Sequence, residues 1–503
     1  MTEMTDILKK YYINEIIISI LINYDISLVF LSLWIVMILF SRPESPLLLI
    51  LLLFNIKKYM KLTNTMKILI VLMLFYLQYN PLEPQLWKPS FKLPYLNDKN
   101  NILKNTILYE KGIILAPESL AIDIYDKDHN IYASLADGRV VLISKEGKYI
   151  NTIYFNKRYI TSEQSILDDS LSEQCTQKAI SHDLAWDKMK ERECGRPLGL
   201  RIKKIKGKKY LFIVDAYNGI FVIDFSLQNV EHIITPNTTI YPNTATNNRT
   251  PKFYNDLDVS LDDGTIYFTD SSFKNTRSEN RIEVLDAAPR GRLFSFKSKK
   301  FGGDDLLHVI ICGLHFPNGV QLGSNSHELM VVESARFRVL KLNLNDKIFN
   351  KKNETLIASC DEYGSLYQYL DQNKQGGVQV LLDAAPGFMD NIRKGQKESQ
   401  YLIGVGAKSA KPFSLLYLVY QSLILRNIVG RIIPMRYIEY LVPKYGLVLV
   451  IDSNNGKIIK TYQDPSGKII SSISEAQIHP TGDLLLGSHS NPYLGILKKQ
   501  YYD

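Results

Sequence analysis

The sequence has few of the residues that mark metal-rich or disulfide-rich small domains. It contains four cysteines among 503 residues, and no two of them have a CxxC spacing. This pattern disfavours a zinc ribbon, an iron–sulfur cluster and a disulfide-dense mini-fold. Charged residues make up only 22% and hydrophobic residues 46% of the chain. These fractions are ordinary for a globular protein and do not fit a disordered chain, collagen or a coiled coil.

The chain has a cationic excess, but that excess is not concentrated at a recognition surface. Lys and Arg number 60 against 51 Asp and Glu, which gives a net charge of +9. The basic run from Arg201 to Lys209, RIKKIKGKK, has no interleaved aromatic residues. Such a run is more typical of a solvated loop than of a nucleic-acid interface. The sequence therefore predicts no nucleic-acid partner.

No apolar run is long enough by itself to span a bilayer, which takes about 20 residues. The runs at 26–40, 47–56 and 68–79 have fifteen, ten and twelve residues. Three runs so close together predict a hydrophobic region over residues 1–80, with one to three membrane segments and an anchor at about 67–80. Two topologies fit: the third run alone is a signal anchor, or the first two form a hairpin and the third crosses again.

Lysines precede the first and last runs, and by the positive-inside rule both sets are cytoplasmic. They are Lys9, Lys10, Lys57, Lys58, Lys61 and Lys67. Both topologies then place the rest of the chain in the lumen of the endomembrane system or outside the cell. Glycosylation sequons at Asn237, Asn248 and Asn353 agree with that placement.

The four cysteines divide into two pairs with different expected states. Cys175 and Cys194 bracket a polar loop and are able to pair in an oxidising compartment. Cys312 and Cys360 are close to apolar runs, and we expect them to be buried free thiols.

After a proline-rich linker at 81–100, one pattern recurs through residues 101–503. Each copy is an alternating apolar run, a turn and a second alternating run, which is the signature of a β-hairpin. Six copies predict an all-β, six-bladed β-propeller, because ring closure protects the sheet edges. A helical insertion at about 409–441 interrupts the fifth copy. The copies are Ile131–Ile143, Tyr210–Phe225, Thr265–Phe296, Glu328–Leu342, Tyr401–Gly406 with 446–459, and Asp483–Ile496.

Four segments that enter these hairpins have polar residues where apolar ones would pack better. They contain Glu118, Asn255, Asn318 and the pair Asp390 and Asn391, each beside large apolar neighbours. Inner strands of a propeller direct such residues to the central channel. An oxygen-only set of this kind suits Ca²⁺. The alternative is that these side chains hydrogen-bond to channel water and strand ends.

Long motifs in the same segments resemble the strictosidine synthase-like family, and within it the membrane-anchored subgroup of hemomucin type. The motifs are CGRPLGL at 194–200, LFIVDAYNG at 211–219, NDL at 255–257, IYFTDSS at 266–272, FPNGVQL at 316–322 and PGFMDNIR at 386–393. The resemblance implies the six-bladed propeller of calcium-dependent paraoxonases and gluconolactonases. It also implies a channel Ca²⁺ held by Glu118, Asn255, Asn318 and Asp390, with Asn391 as a fifth ligand. Hydrolysis would then use a metal-polarised carbonyl and an activated water.

Two departures from those enzymes bear on activity. The histidine pair of paraoxonases is replaced by Leu198 and Ala216, although His315 and His489 could approach the channel mouth. The resemblance to plant strictosidine synthase makes Glu475 a general-base candidate, and the alternative is a turn carboxylate. Alkaloid condensation is disfavoured because the loops differ.

Two classes of function remain open. The first is an arylesterase-like or lactonase-like hydrolase of small esters or lactones, with Asp390 and Glu475 as candidate catalytic residues. The second is a receptor or adhesion propeller without chemistry, since fold does not fix function. Loops at 160–194 and 409–441 would set specificity. The apolar stretch 413–425 in the second loop predicts a lid or a helix resting on a membrane.

Overall fold

The structure is a computed structural model of the chain. It describes residues 82–85, 92–96, 101–153, 155, 169–181, 187–241, 249–324, 327–344, 378–412 and 414–502. These residues belong to the second of two units, Leu82–Asp503. The three apolar runs before residue 80 lie outside them, and no helix within the described ranges is long and apolar enough to cross a membrane.

Within the ranges given above, twenty-five strands form six sheets, and the strand named first in each sheet below lies at the ring axis. The first three sheets are β2 Leu120–Ile122, β3 Ile131–Ser134, β4 Val140–Ile143 and β5 Tyr149–Ile153; β6 Pro197–Ile205, β7 Lys208–Asp215, β8 Gly219–Asp224 and β9 Asn229–Ile234; and β11 Tyr254–Val259, β12 Ile266–Asp270, β13 Gly291–Phe296 and β14 Leu307–Leu314, with β10 Ile240–Tyr241 parallel to β14. The last three are β15 Pro317–Leu322, β16 Glu328–Glu333, β17 Arg338–Asn343 and β18 Val378–Leu382; β19 Gly387–Lys394, β20 Gln400–Lys408, β21 Gly446–Asp452 and β22 Ile458–Asp464; and β23 Ile473–Ile478, β24 Leu484–Ser488, β25 Leu494–Leu497 and β1 Ile107–Tyr109.

The ring closes through the strand nearest the start of the described propeller. β1 pairs antiparallel with β25, with Ile107 opposite Ile496. On the inner side, the Ser474 hydroxyl donates to the Glu118 carbonyl oxygen at 2.8 Å and so joins the sixth sheet to the first. The predicted six-bladed propeller is therefore confirmed, and its last sheet combines one strand from the start of the fold with three from its end.

Alternating side chains explain why each sheet is apolar on both faces. Along β7, Leu211 and Ile213 pack in the cluster shared with the first sheet, whereas Phe212 and Val214 pack in the cluster shared with the third. Successive strand residues point to opposite faces, so a blade between two neighbours buries both sets. Each such side chain stabilises the fold by about 1.5–3 kcal/mol. The core is thus a ring of inter-blade layers.

Helices occur at the edge of the ring from which the inner strands start. They are α1 Asp169–Ile180, α2 Lys188–Cys194, α3 Asn280–Asp286, α4 Leu415–Tyr420 and α5 Leu423–Ile432. Short 3₁₀ helices are Ile102–Asn105, Arg277–Glu279, Lys299–Phe301, Ser334–Arg336, Met435–Leu441 and Lys499–Tyr501. The insertion with α4 and α5 leaves β20 after Lys408, which is paired with Gly387 at the start of β19. We call this edge, where the inner strands begin, the mouth edge.

Candidate functional site

β-bulges in three inner strands contain the candidate ligands Asn255, Asn318, Asp390 and Asn391. In β11 the register passes from Tyr254 opposite Asp270 to Leu257 opposite Phe268, so two residues face one. The same shift occurs in β15 around Asn318 and in β19 around Asp390 and Asn391. Bulges redirect side chains next to functional sites. The motifs NDL, FPNGVQL and PGFMDNIR thus contain the bulges of β11, β15 and β19.

Close backbone approach brings the neighbouring bulges together. A Cβ at Gly319 would lie 2.6 Å from the Ile392 nitrogen and 2.7 Å from the Asp390 carbonyl oxygen. Real Cβ atoms do not approach backbone so closely, so β15 and β19 can meet here only with glycine in this position. Asn318 and Asp390 are held on adjacent strands by this contact.

The carboxyl group of Asp390 is the centre of the arrangement. Burial raises its pKa well above the usual range, and the nearby negative charge of Glu118 raises that pKa further. A hydrogen bond from Asn318 partly opposes these effects. Two carboxylates that are buried near each other need a cation or a proton. Asp390 therefore lies where added positive charge would be stabilised.

Carboxamides complete the set, and we call Glu118, Asn255, Asn318, Asp390 and Asn391 the inner site. The Oδ1 atoms of Asn318 and Asn391 are buried without a hydrogen-bond partner among the described residues. The Nδ2 of Asn391 donates to the Glu118 carbonyl oxygen at 3.3 Å, and that of Asn255 donates to the Ser271 hydroxyl at 2.9 Å. A buried acceptor without a donor costs about 1–3 kcal/mol. A cation would compensate for both orphaned oxygens.

The chemistry of these residues fits a hard divalent cation. Within the described ranges, no cluster of three or more His, Cys, Asp or Glu side chains could hold a metal, so a cation would depend on carboxamide oxygens. Ca²⁺ accepts such mixed carboxylate and carbonyl ligands. One feature opposes it: the Nη2 of Arg196 donates to the Oε2 of Glu118 at 2.8 Å. Arg196 is fully buried, so this guanidinium already neutralises one carboxylate.

An aromatic collar lies on the mouth side of the inner site. We use this name for Phe253, Phe316 and Phe388, each two residues before an inner-site residue on three neighbouring blades. Their rings meet edge to face, with centroids 5.5 Å apart for Phe253 and Phe316 and 5.9 Å apart for Phe316 and Phe388. Phe316 has a φ of 54°, which is rare for a bulky residue and typical of a strained functional site. Leu198 and Ala216 pack in the same apolar cluster.

A network of buried ion pairs lies on the other side of the inner site. The Arg393 guanidinium donates to Asp256 at 2.7 Å and to Glu475 at 2.7 Å. Arg201 also reaches Asp256, at 3.3 Å, and Lys203 pairs with Asp258 at 2.8 Å. The charges of opposite sign neutralise one another where the inner strands converge. We therefore expect small molecules to reach the inner site from the mouth edge.

Comparison with known proteins agrees with the motifs. Residues 255–347 match the family model described as Strictosidine synthase. The strictosidine synthase-like resemblance is confirmed. Adipocyte plasma membrane-associated protein of Bos taurus is 28% identical over 419 residues, which are 82% of this chain and 84% of that protein. Protein STRICTOSIDINE SYNTHASE-LIKE 13 of Arabidopsis thaliana is 27% identical over 360 residues, 71% of this chain and 74% of that protein.

Two solved structures are similar to this chain at low sequence identity. A gluconolactonase from Xanthomonas campestris has a TM-score of 0.42 and 11% identity, and covers 81% of this chain and 95% of its own. A calcium-binding regucalcin from Agrobacterium tumefaciens has a TM-score of 0.41 and 10% identity, with coverage of 76% and 90%. At these values the likeness adds nothing to what the sheet topology shows.

Glu475 lies among buried ion pairs and hydrogen bonds of the inner strands. It is fully buried, and it accepts hydrogen bonds from Arg393, from the Ser119 hydroxyl at 3.1 Å and from Gln477 at 2.9 Å. Burial raises its pKa, and the Arg393 charge lowers it. These contacts are those of an ion-paired core residue. A catalytic role for Glu475 stays a prediction that the geometry does not favour.

The two histidines have different positions. His315 is buried, with Nδ1 2.8 Å from the Ala287 carbonyl oxygen and Nε2 2.7 Å from the Arg336 guanidinium. Burial, reinforced by the positive charge of Arg336, holds the pKa of His315 well below its usual range. His489 is instead partly exposed, and its Nδ1 is 3.9 Å from the Asp390 carboxylate. Of the two, His489 is the one beside the inner site.

The predicted cysteine pairs and glycosylation sequons are only partly covered by the described residues. Cys175 and Cys194 form a disulfide that joins α1 to the end of α2. Cys312 is disulfide-bonded, so the expectation of a free thiol there was wrong. The Asn237 side chain is exposed after β9. Cys360, Asn248 and Asn353 lie outside the described residues.

Arg196 and Arg393 are the residues that sequence reasoning missed. Both belong to motifs already quoted, CGRPLGL and PGFMDNIR. Arg196 directly precedes β6 and Arg393 lies in β19, and both side chains are buried. A charged side chain that is buried in this way is expected to have a buried partner. The partner's identity depends on the ring, because Arg196 pairs with Glu118 across the first two blades.

Proposed function

We propose that this protein is a divalent-cation-dependent hydrolase of small apolar esters or lactones. The observation that carries the proposal is the convergence of two carboxylates and orphaned carboxamide oxygens beneath an aromatic collar. Glu118, Asn255, Asn318, Asp390 and Asn391 would hold the cation, and Ca²⁺ suits this oxygen set. When bound, the cation would polarise the substrate carbonyl and acidify water.

The chain's own residues supply binding and proton transfer. The collar of Phe253, Phe316 and Phe388 offers an apolar surface for an aryl or acyl group. His489 lies close enough to Asp390 to take a proton from a water near that carboxylate, through Nδ1 or through one bridging water. Arg196 holds the Glu118 side chain in place by a hydrogen bond from its guanidinium at 2.8 Å.

The test compares calcium binding and turnover in the purified full chain. Phenyl acetate and a γ-lactone are assayed in calcium, after chelation and after calcium is restored, with calorimetry in parallel. We expect Asp390→Asn to lose both calcium binding and turnover, because one of two carboxylates is removed. The matched control is Asp304→Asn, an exposed aspartate paired with His308, which should change neither.

The competing function is a receptor or adhesion propeller without chemistry. It is favoured by the Arg196 guanidinium, which already satisfies Glu118 without a metal. Absence of both turnover and calcium binding would refute the hydrolase proposal and favour that alternative. Turnover that persists in an Asn255→Ala, Asp390→Ala double variant would instead reject the metal site while keeping the enzyme.

The proposal includes attachment to a membrane, with the propeller in the lumen or outside the cell. Supporting it are the three apolar runs, the disulfide, the exposed sequon asparagine and relatives whose name includes plasma membrane-associated. The full chain should resist alkaline extraction from membranes. Asn237→Gln should remove a glycosidase-sensitive mobility shift, whereas a chain released by alkali would contradict attachment.

A further inference from the structure

The helical insertion presents an apolar surface that no described residue covers. We call this the insertion face, formed by Leu418, Ile424, Leu425, Ile428, Tyr440 and Leu441. Ile424 is 73% exposed and Tyr440 is 76% exposed. Single exposed apolar residues are ordinary on a protein surface, but several within one insertion favour an interaction site.

The buried side chain of Arg426 fixes the orientation of α5 on the propeller. Arg426 is fully buried and donates from its guanidinium to the carbonyl oxygens of Asp286 at 3.2 Å and Gln85 at 2.8 Å. At 100° per residue, Ile424 and Ile428 lie on the side of the helix opposite Arg426. The contacts of the Arg426 guanidinium with backbone carbonyl oxygens fix one side of α5 against the protein. The opposite side, with Ile424 and Ile428, is exposed.

The chain before the propeller arrives at this same place. Leu82 packs against Leu285 and Val419, beside α4 and α5. The third apolar run ends at Tyr79, three residues earlier. Three residues span at most about 11 Å. If that run is anchored in a bilayer, as proposed above, the short connection from Tyr79 to Leu82 does not allow the propeller to move far from the bilayer.

The charges of the insertion suit an anionic lipid surface. Residues 409–445 contain five Lys or Arg and one Glu. Arg426 is buried, but Arg436 and Lys444 are exposed. Apolar residues and tyrosines flanked by cations are typical of helices that lie in the headgroup region.

We propose that the insertion face lies in the interfacial region of the phospholipid bilayer that holds the N-terminal anchor. The insertion leaves the ring at the mouth edge, and Tyr420 in α4 packs on Phe337, which packs on Phe388 of the collar. The mouth of the inner site therefore faces the lipid, and apolar substrates dissolved in the membrane reach the collar from it. The inference rests on the membrane attachment proposed above.

The test measures lipid contact at one position in the full chain. Ile424→Trp and Leu227→Trp are compared with the parent, which has three tryptophans, in nanodiscs with one protein copy and lipids that include phosphatidylserine. Leu227 is the matched control, because it is also an aliphatic residue with an exposed side chain (60%). It lies in the turn after β8, at the edge of the ring opposite the mouth edge. Shallow doxyl-labelled phosphatidylcholine is the quencher.

We expect the emission added at position 424 to be blue-shifted and largely quenched by the doxyl lipid, and that added at position 227 to be unaffected. Tyr440→Trp gives a second reading if Ile424→Trp misfolds. Equal quenching at 424 and 227 overturns the proposal, as does a blue shift without doxyl quenching, which would indicate a protein partner. Flotation of the same chain on vesicles distinguishes failure of the proposed membrane attachment from failure of the insertion-face proposal. A chain that does not float refutes attachment itself, whereas a chain that floats without quenching at 424 refutes only the insertion face.

Discussion

Removing the Arg393 guanidinium should destabilise the propeller more than any comparable change at its surface. Arg393 donates from Nη1 to Asp256 at 2.7 Å and from Nη2 to Glu475 at 2.7 Å, with a further bond of 3.2 Å to the Ser119 hydroxyl. All four residues are buried. Arg393→Met keeps most of the side-chain volume but removes the guanidinium that pairs with Asp256 and Glu475. Asp256 then keeps only Arg201 as a cationic partner among the described residues.

The size of the effect follows from the buried charges. Breaking a buried ion pair by removing one partner costs about 3–5 kcal/mol. With an unfolding entropy of about 2.1 cal/mol/K per residue, a propeller of about 420 residues should lose about 3–6 °C in Tm. The assay is thermal unfolding of the full chain in detergent, followed by circular dichroism in the β-sheet band. Arg436→Met, the same change at an exposed arginine, is the control and should stay within about 0.5 kcal/mol.

A second substitution tests the cause of the loss. Glu475→Gln in the Arg393→Met background removes one uncompensated carboxylate and keeps an acceptor for Gln477. The double variant should therefore be more stable than Arg393→Met alone, which is a coupling between contacting residues. A loss below about 1 kcal/mol for Arg393→Met, or no recovery in the double variant, would refute the assignment of these contacts as an ion-paired layer.

The remaining predictions concern a carboxyl, a disulfide and a histidine. Burial raises the pKa of Glu283 to about 7, so the folded state binds its proton more tightly than the unfolded state does. Its contribution to stability is full below pH 4.5 and is lost as pH rises through 7, and Glu283→Gln should flatten this slope in urea titrations at several pH values. Replacing Cys175 and Cys194 by serine opens a loop with ends 19 residues apart and should cost about 3 kcal/mol; no change in the urea midpoint would contradict this. His489→Gln should lower kcat for phenyl acetate while calorimetry shows unchanged calcium affinity, and an unchanged kcat would exclude proton transfer by His489.

Local patterns made the architecture predictable, because each blade repeats the same hairpin and buries both faces against its neighbours. Five oxygen-bearing residues could be chosen from sequence because polar residues interrupt apolar strand entries at Glu118, Asn255, Asn318, Asp390 and Asn391. The bulges that align them were not visible, since a bulge is defined only by the register of the partner strand.

Side-chain pairing was the part that sequence could not supply. Arg196 and Glu118 are 78 residues apart, and Arg393 and Glu475 are 82 apart. Such pairs form only when the ring brings distant inner strands together. Glu475 was therefore a reasonable base candidate in isolation and is an ion-paired core residue in the fold. Likewise, the apolar surroundings of Cys312 predicted burial correctly but said nothing about its oxidation state.

The pairing of β1 with β25 has a consequence for biosynthesis. The edge strand at Ile107–Tyr109 can pair only after its partner Leu494–Leu497, which follows the other strands of the ring in chain order, has been synthesised. Until then, an incomplete propeller exposes two open sheet edges that are able to pair with other chains. A truncation that removes only the last dozen residues would leave every inner-site residue in place and still prevent closure. We expect such a chain to be retained by chaperones or degraded, so that only chains translated to the end of the last blade leave the compartment in which they fold.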